Sequence, residues 1–220
     1  MIVTELSKGT KLYILVGGKG TRISSVTHKP KALIDIEGQA FIKHVIDNLK
    51  GFDITLVCSD HNYGYFTGDL TLQGLGVNII NEGEPSGTGG WLKKIDLPDS
   101  FYVMNGDTFF SDDFNLDTDK STVFVSWETI IGDEGYIKGE WGTVRNFVEK
   151  DETAIGKQRM VNMGIYKLYK KDLCLPDNFP ISMEYDILPN INLSYKTIKS
   201  KKFDIGTPER LENFKSWFNT

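Results

Sequence analysis

The first half of the chain alternates short apolar runs with polar or glycine-rich stretches. Residues 11–16 are rich in strand formers and stop abruptly at Gly17-Gly18, as a buried strand entering a tight loop does. Phe41, Ile42, Val45, Ile46 and Leu49 recur at helical spacing ahead of Gly51, which predicts a helix that a glycine stops. Residues 54–58 and 77–80 read as further buried strands, so strands alternate with helical or loop segments and imply a mostly parallel sheet of the α/β class. Trp91, Leu92 and Ile95 predict a helix opening after Gly87-Thr88-Gly89-Gly90. Residues 101–104 predict a strand ending at Asn105-Gly106-Asp107. Ligands of open α/β sheets bind beyond the carboxyl ends of the strands, so the glycine loop and Asp107 are expected at one crevice.

The second half is less regular. Strands are expected at residues 122–127, 143–148 and 163–168, with a turn near Lys138-Gly139-Glu140. Thr207-Pro208-Glu209 supplies an N-cap, a proline at the first helical position and an acidic first turn, and Leu211, Phe214 and Phe218 follow on one stripe. A final helix is predicted there.

Composition narrows the class. With 220 residues, 40% of them apolar, the chain is expected to form one domain over residues 1–220. Its 30 acidic and 25 basic residues give a net charge of -5, which argues against nucleic-acid binding. The start, Met1-Ile2-Val3-Thr4-Glu5, has no basic stretch leading into an apolar one, and no window approaches the ~20 apolar residues of a membrane span. Cys58 and Cys174 lie beside apolar residues without metal-ligand spacing, so two buried, reduced thiols and a cytoplasmic location are expected. His28, His44 and His61 read as structural or surface residues.

The sharpest chemical feature is Leu15-Val16-Gly17-Gly18-Lys19-Gly20-Thr21-Arg22, continued by Lys29-Pro30-Lys31-Ala32-Leu33. Glycines let backbone amides approach a phosphate, Arg22 offers a planar fork and Lys31 a mobile point charge. Two other phosphate loops are excluded: there is no G-x-x-x-x-G-K followed by Ser or Thr, and the G-x-G at Gly18 meets Ile23 where a third glycine is needed.

These residues resemble the sugar-1-phosphate nucleotidyltransferases, whose opening is a strand, then GG-x-GTR, then a PK pair. The similarity continues through Gly38, the run from Glu84 to Gly90, Asn105-Gly106-Asp107, Phe147-Val148-Glu149-Lys150, Asn162-Met163-Gly164-Ile165-Tyr166 and the run from Phe203 to Leu211. Departures are Val16 where alanine is usual, Ser24-Ser25 where Leu-x-Pro is usual, and no proline after Lys150. None removes a charged group. The chain ends shortly after its last predicted helix, so the further acyltransferase or dimerisation region of longer members is expected to be absent.

The resemblance implies a Rossmann-like three-layer fold with a mixed, mostly parallel sheet, of the nucleotide-diphospho-sugar transferase type. It implies Mg²⁺ held by Asp107 and Asp204, with Arg22 and Lys31 completing the catalytic set. Leu15, Gly17, Gly18, Gly20, Thr21, Arg22, Glu82, Gly87, Thr88 and Asn105 are expected to bind the nucleotide, and Glu149, Lys150 and Asn162 the sugar phosphate. Lys19 and Lys29 are second-rank cations. Guanine presents two adjacent donors that a carboxylate such as Glu82 or Glu84 accepts together, which favours GTP. Length, the opening loop and Glu82-Gly83-Glu84-Pro85-Ser86-Gly87-Thr88-Gly89-Gly90 look most like bacterial D-glycero-D-manno-heptose 1-phosphate guanylyltransferases, which make GDP-heptose for surface polysaccharides. The rivals are uridylyl or cytidylyl transfer to another sugar phosphate and, from another class, a nucleotide-sugar-dependent glycosyltransferase or binding module. A homodimer is an expectation by analogy alone.

Overall fold

A computed structural model of the protein describes residues 9–220. The opening Met1-Ile2-Val3-Thr4-Glu5, on which the expectation of a leaderless start rests, lies outside them. In chain order the elements are β1 (Thr10–Leu15), β2 (Asp35–Ile36), β3 (Gln39–Ala40), α1 (Phe41–Asn48), β4 (Phe52–Cys58), α2 (Asp60–Thr67) and β5 (Asn78–Asn81). There follow β6 (Ser100–Asn105), β7 (Thr108–Phe110), β8 (Thr122–Thr129), β9 (Tyr136–Glu140), β10 (Thr143–Val148) and β11 (Gln158–Tyr169). The last are β12 (Ser194–Thr197), β13 (Lys202–Asp204) and α3 (Pro208–Phe218). Among the described residues no helix is long and apolar enough to cross a membrane.

The chain packs as two compact units. The first holds the described residues up to Pro85 together with Met104–Asp113 and Lys201–Thr220. Here β5, β4 and β1 lie side by side and parallel, with Ile14 opposite Leu56 and Val57 opposite Ile80. Leu12, Ile14, Leu56, Val57 and Cys58 are all buried, the near-continuous apolar run of strands covered on both faces. Helix α1 turns Phe41, Ile42, Val45 and Ile46 inward, as its spacing predicts. The polar segment that forms α2 carries little helical periodicity; a capping box between Ser59 and Asn62 starts it instead. In α3 the Thr207 side chain accepts from the Arg210 amide and Pro208 opens the first turn. Phe214 of α3 packs against Phe41 at 5.3 Å and Phe203 at 5.7 Å, while Trp217 stacks on Phe203 at 4.5 Å. Burying a side chain such as Phe214 contributes about 1.5–3 kcal/mol.

The second unit comprises Ser86–Val103 and Phe114–Ser200. Strand β8 pairs antiparallel with β11 and parallel with β12; β10 runs antiparallel to both β12 and β9. Strand β9 pairs back onto β11, so these strands close on themselves. The parallel pairs of the mixed sheet thus lie mainly in the first unit, and antiparallel pairs dominate the second.

Several expectations are corrected here. The helix predicted around Trp91, Leu92 and Ile95 is a single 3₁₀ turn, Gly90–Lys93. Pro98 disfavours helical backbone at Leu97, which leaves too few residues to propagate a helix. The turn expected at Lys138-Gly139-Glu140 is strand β9, and the chain reverses at Trp141-Gly142 with φ values of 52° and 78°. Gly139 is there for space: a Cβ on it would stand 2.6 Å from the Tyr195 ring. Strand β11 starts well before residue 163, and its pairing with β8 shifts between Asn162 and Tyr166.

The thiols also divide. Cys58 is buried in β4 as expected, and burial, with the Glu82 charge adding, pushes its thiol up to about 12. Cys174 is exposed, because a single neighbouring leucine does not bury a residue that follows a surface turn. A maleimide at pH 8 is therefore expected to label Cys174 alone in the native protein and Cys58 only after unfolding in guanidinium. Equal labelling of both by intact-mass spectrometry would contradict this burial.

Candidate active site

The glycine loop is held at its base by the start of α2. The Val16 amide donates to the Val57 carbonyl at 2.9 Å, Asn62 Nδ2 donates to the Val16 carbonyl at 2.6 Å, and Ser59 Oγ donates to the Gly17 carbonyl at 2.8 Å. His61 Nδ1 lies 2.8 Å from the same Ser59 hydroxyl. The Glu82 amide donates to the Cys58 carbonyl at 2.8 Å, and its carboxylate lies over Gly17, where an added Cβ would stand 3.1 Å from Glu82 Oε1. Gly18 and Lys19 are exposed. Gly20, at φ 62°, opens the short 3₁₀ turn Thr21–Ile23 that carries Arg22; this left-handed backbone favours glycine. Lys29 and His28 are exposed, whereas His44 sits with Nε2 2.9 Å from the Ile36 carbonyl and its ring edge-on to Phe218.

The acids meet through two very short strands. The Gly106 amide donates to the Leu15 carbonyl at 3.0 Å, and a Cβ on Gly106 would stand 2.5 Å from that oxygen, so only glycine lets the segment after β6 lie on the end of β1. Asp107 follows directly, and half-buried Asn105 precedes. Strands β7 and β13 pair antiparallel with Asp204 opposite Thr108, and the Ile205 amide donates to the Asp107 carbonyl at 3.1 Å. The result is a shared centre beside Gly206. A Cβ built there would lie 3.0 Å from Asp204 Oδ1 and 3.8 Å from both Asp107 Oδ2 and Arg22 Nη2.

Each acid has a cation of its own. Lys31 Nζ forms an ion pair with Asp107 Oδ2. Burial acts to raise the Asp107 carboxyl, but the Lys31 charge and hydrogen bond outweigh it and hold the group below the usual carboxylate range. Arg210 Nη1 stands 3.1 Å from Asp204 Oδ2, and the Gly206 amide donates to Asp204 Oδ1 at 2.9 Å. Among the described residues no cluster of three or more His, Cys, Asp or Glu side chains is arranged to hold a metal. An ion at this centre would therefore take two protein carboxylates, the share Mg²⁺ takes when phosphates and waters fill its remaining positions.

The second unit brings the expected sugar-phosphate residues Glu149 and Asn162 together at Gly135. The Glu149 carboxylate occupies the space a side chain at 135 would fill, 1.9 Å from an added Cβ, while the Asn162 amide donates to the Gly135 carbonyl at 2.9 Å. Asn162 Nδ2 donates to the Tyr166 hydroxyl at 2.7 Å. Lys150 is exposed and takes φ 55°, a backbone region sparsely populated by non-glycine residues. Gly87 lies against Ile181, whose carbonyl oxygen would be 2.3 Å from an added Cβ, and Thr88 Oγ1 donates to Glu184 Oε2 at 3.2 Å.

The sequence reading missed Ser59, Asn62, Gly135, Glu184 and Arg210. A Ser-x-x-Asn spacing was a readable cap signal for the first pair, and Arg210 stands inside the run from Phe203 to Leu211. Gly135 and Glu184 carry no local signal.

The sequence and the fold are similar to those of known proteins. Residues 11–213 match the model of the nucleotidyl transferase family. The chain is 29% identical to a D-glycero-alpha-D-manno-heptose 1-phosphate guanylyltransferase of Campylobacter jejuni, over 91% of this chain and 96% of that one. It is 30% identical to a probable mannose-1-phosphate guanylyltransferase of rice, over 90% of this chain but only 62% of that longer one. Among solved structures, HddC from Yersinia pseudotuberculosis complexed with GMP-PN superposes with a TM-score of 0.76 at 28% identity, covering 95% of this chain and 99% of that one. With its α/β architecture and most of its length within that match, the chain belongs to the nucleotidyl transferase family.

Proposed function

We propose that this protein transfers a guanylyl group from GTP to a sugar 1-phosphate, D-glycero-D-manno-heptose 1-phosphate, giving a GDP-sugar and pyrophosphate. The observation that carries the reading is the convergence of Asp107, Asp204 and Arg22 beside Gly206. Similarity to the Campylobacter heptose 1-phosphate guanylyltransferase supports guanine and heptose, and similarity to the Yersinia protein complexed with GMP-PN supports a guanine nucleotide.

In the reaction a sugar-phosphate oxygen forms a bond to the α-phosphorus, the bond to the β-phosphate oxygen breaks, and its electron pair leaves with pyrophosphate. No protein nucleophile is needed, so the chain supplies alignment and positive charge. Arg22 neutralises the triphosphate and the departing pyrophosphate. Lys31 aligns the α-phosphate. Amides from Gly17 to Thr21 approach the phosphates, and Glu82, seated over Gly17, accepts from the guanine edge. Leu15, Asn105, Gly87 and Thr88 complete the nucleotide-binding set. Glu149 and Asn162 bind sugar hydroxyls, and Lys150 the sugar-linked phosphate. Asp107 and Asp204 would hold Mg²⁺, which supplies Lewis-acid neutralisation of phosphate oxygens when bound. We place all of these roles in a single nucleotidyltransferase domain over residues 1–220, acting in a reducing cytoplasm.

Incubation with each triphosphate against a panel of sugar 1-phosphates, with Mg²⁺, tests this by pyrophosphate release and mass spectrometry of the product. GTP with heptose 1-phosphate is expected to give the highest kcat/KM. A UDP- or CDP-sugar as main product would replace guanine. Nucleoside diphosphate released from a nucleotide sugar, without pyrophosphate from any triphosphate, would sink the transferase reading.

A further inference from the structure

We propose that Glu184 is a positioning residue for the acceptor sugar, fixing the Asn162 amide through the hydroxyl of Tyr166. The inference rests on the sugar-binding role given above to Asn162, and it follows from the direction of each hydrogen bond in the second unit. The Gly164 amide donates to Asn162 Oδ1 at 3.0 Å, so Oδ1 is the acceptor and Nδ2 the donor of that side chain. Nδ2 donates to the Tyr166 oxygen at 2.7 Å. The phenol proton must then point elsewhere, and Glu184 Oε1 receives it at 3.2 Å. Burial, followed by the Glu184 charge, raises Tyr166 well above the usual range, so the phenol keeps its proton.

The carboxylate is itself braced. Its Oε2 accepts from Thr88 Oγ1 at 3.2 Å and from Ser182 Oγ at 3.1 Å. The Met183 amide donates to Thr88 Oγ1 at 2.8 Å, which directs the threonine proton to Glu184 as well. Ser182 also caps the π-helical turn Met183–Ile187 by accepting from the Tyr185 amide, and this turn carries Glu184. The hydroxyl protons of Tyr166, Thr88 and Ser182 thus all run toward one acceptor-only group. Without it, the Tyr166 hydroxyl is free to rotate its proton toward Asn162 Nδ2 and ceases to accept from it; the Gly164 amide still holds Oδ1, but the amide loses its anchor on the Nδ2 side and with it a fixed aim at a sugar hydroxyl.

The test uses Glu184→Leu, Glu184→Gln, Tyr166→Phe and the double variant Glu184→Leu/Tyr166→Phe, each checked by circular dichroism and melting. Glu184→Leu is expected to raise KM for the sugar 1-phosphate about tenfold, the value of one directed hydrogen bond, and KM for GTP by much less, through the Thr88 hydroxyl that also donates to the lost carboxylate. Glu184→Gln, which keeps a carbonyl acceptor, restores most of that loss, and the double variant is no worse than Tyr166→Phe, because Glu184 acts on Asn162 only through that hydroxyl. Parallel rises in both KM values, or additive losses in the double variant, overturn the proposal. Hydrogen exchange of the Asn162 side-chain amide, followed by NMR, reads the positioning without turnover: protection is expected to drop about tenfold in Glu184→Leu. Unchanged protection refutes the positioning even if the enzyme is active. Protection that drops in Glu184→Leu, together with a wild-type protein that makes no nucleotide sugar, refutes the functional reading instead.

Discussion

Asp107→Asn is expected to lower kcat by about 10³-fold, the loss that follows removal of a group aimed at charge developing in a transition state. The substitution is nearly isosteric and leaves the backbone bond from the Ile205 amide to the Asp107 carbonyl in place, so the fold should persist. What goes is a negative charge beside Lys31 and the Gly206 centre, and with it one of the two carboxylates proposed for Mg²⁺. Because Asp107 lies below its ordinary range when folded, the unfolded carboxyl binds protons more readily. Its contribution to stability is therefore present above the unfolded value, near 3.9, and is lost as pH falls through the folded one. The melting-temperature gap between wild type and Asp107→Asn should be open at pH 7 and shrink below about pH 4. A variant within tenfold of wild-type kcat at saturating Mg²⁺ would remove Asp107 from the reaction.

Arg22→Lys should lower kcat by about 10²-fold although the charge is kept. Arg22 Nη2 reaches the shared centre from a short turn opened by Gly20, and a planar guanidinium places two parallel donors on a phosphate where an ammonium offers one point charge. The loss should appear in the synthetic direction and, as a raised pyrophosphate KM, in pyrophosphorolysis. Unchanged kinetics in both directions would leave the arginine without its proposed role. Together the two substitutions separate the anionic half of the centre from the cationic half.

The elements legible in the sequence are those whose pattern is local. Strand β1, helix α1, strands β4 and β5 and helix α3 announce themselves because apolar residues repeat at the strand or helix period, or because a cap and proline mark a start. Helix α2 was not legible, since its polar residues bury little and a capping pair starts it. Gly139 misled because a glycine admitted for close packing looks the same as one needed for a turn. The phosphate loop, Arg22, Lys31 and both aspartates could be named from the chain because glycines, cations and acids stood where predicted strands end or in an ordered set of motifs.

The sequence by itself determined which residue types are present for phosphate chemistry and the order in which they come. Only the tertiary structure decided their meeting. Asp107 and Asp204 are adjacent because the three-residue strands β7 and β13 pair with Asp204 opposite Thr108, and strands that short have no period to read. Glu149 and Asn162 both come to Gly135, the carboxylate in the space a side chain there would fill and the Asn162 backbone amide on its carbonyl, and Glu184 reaches Asn162 through the Tyr166 hydroxyl. Local periodicity follows from the geometry of a single strand or helix, whereas these pairings depend on which distant segments share a surface once the core has packed.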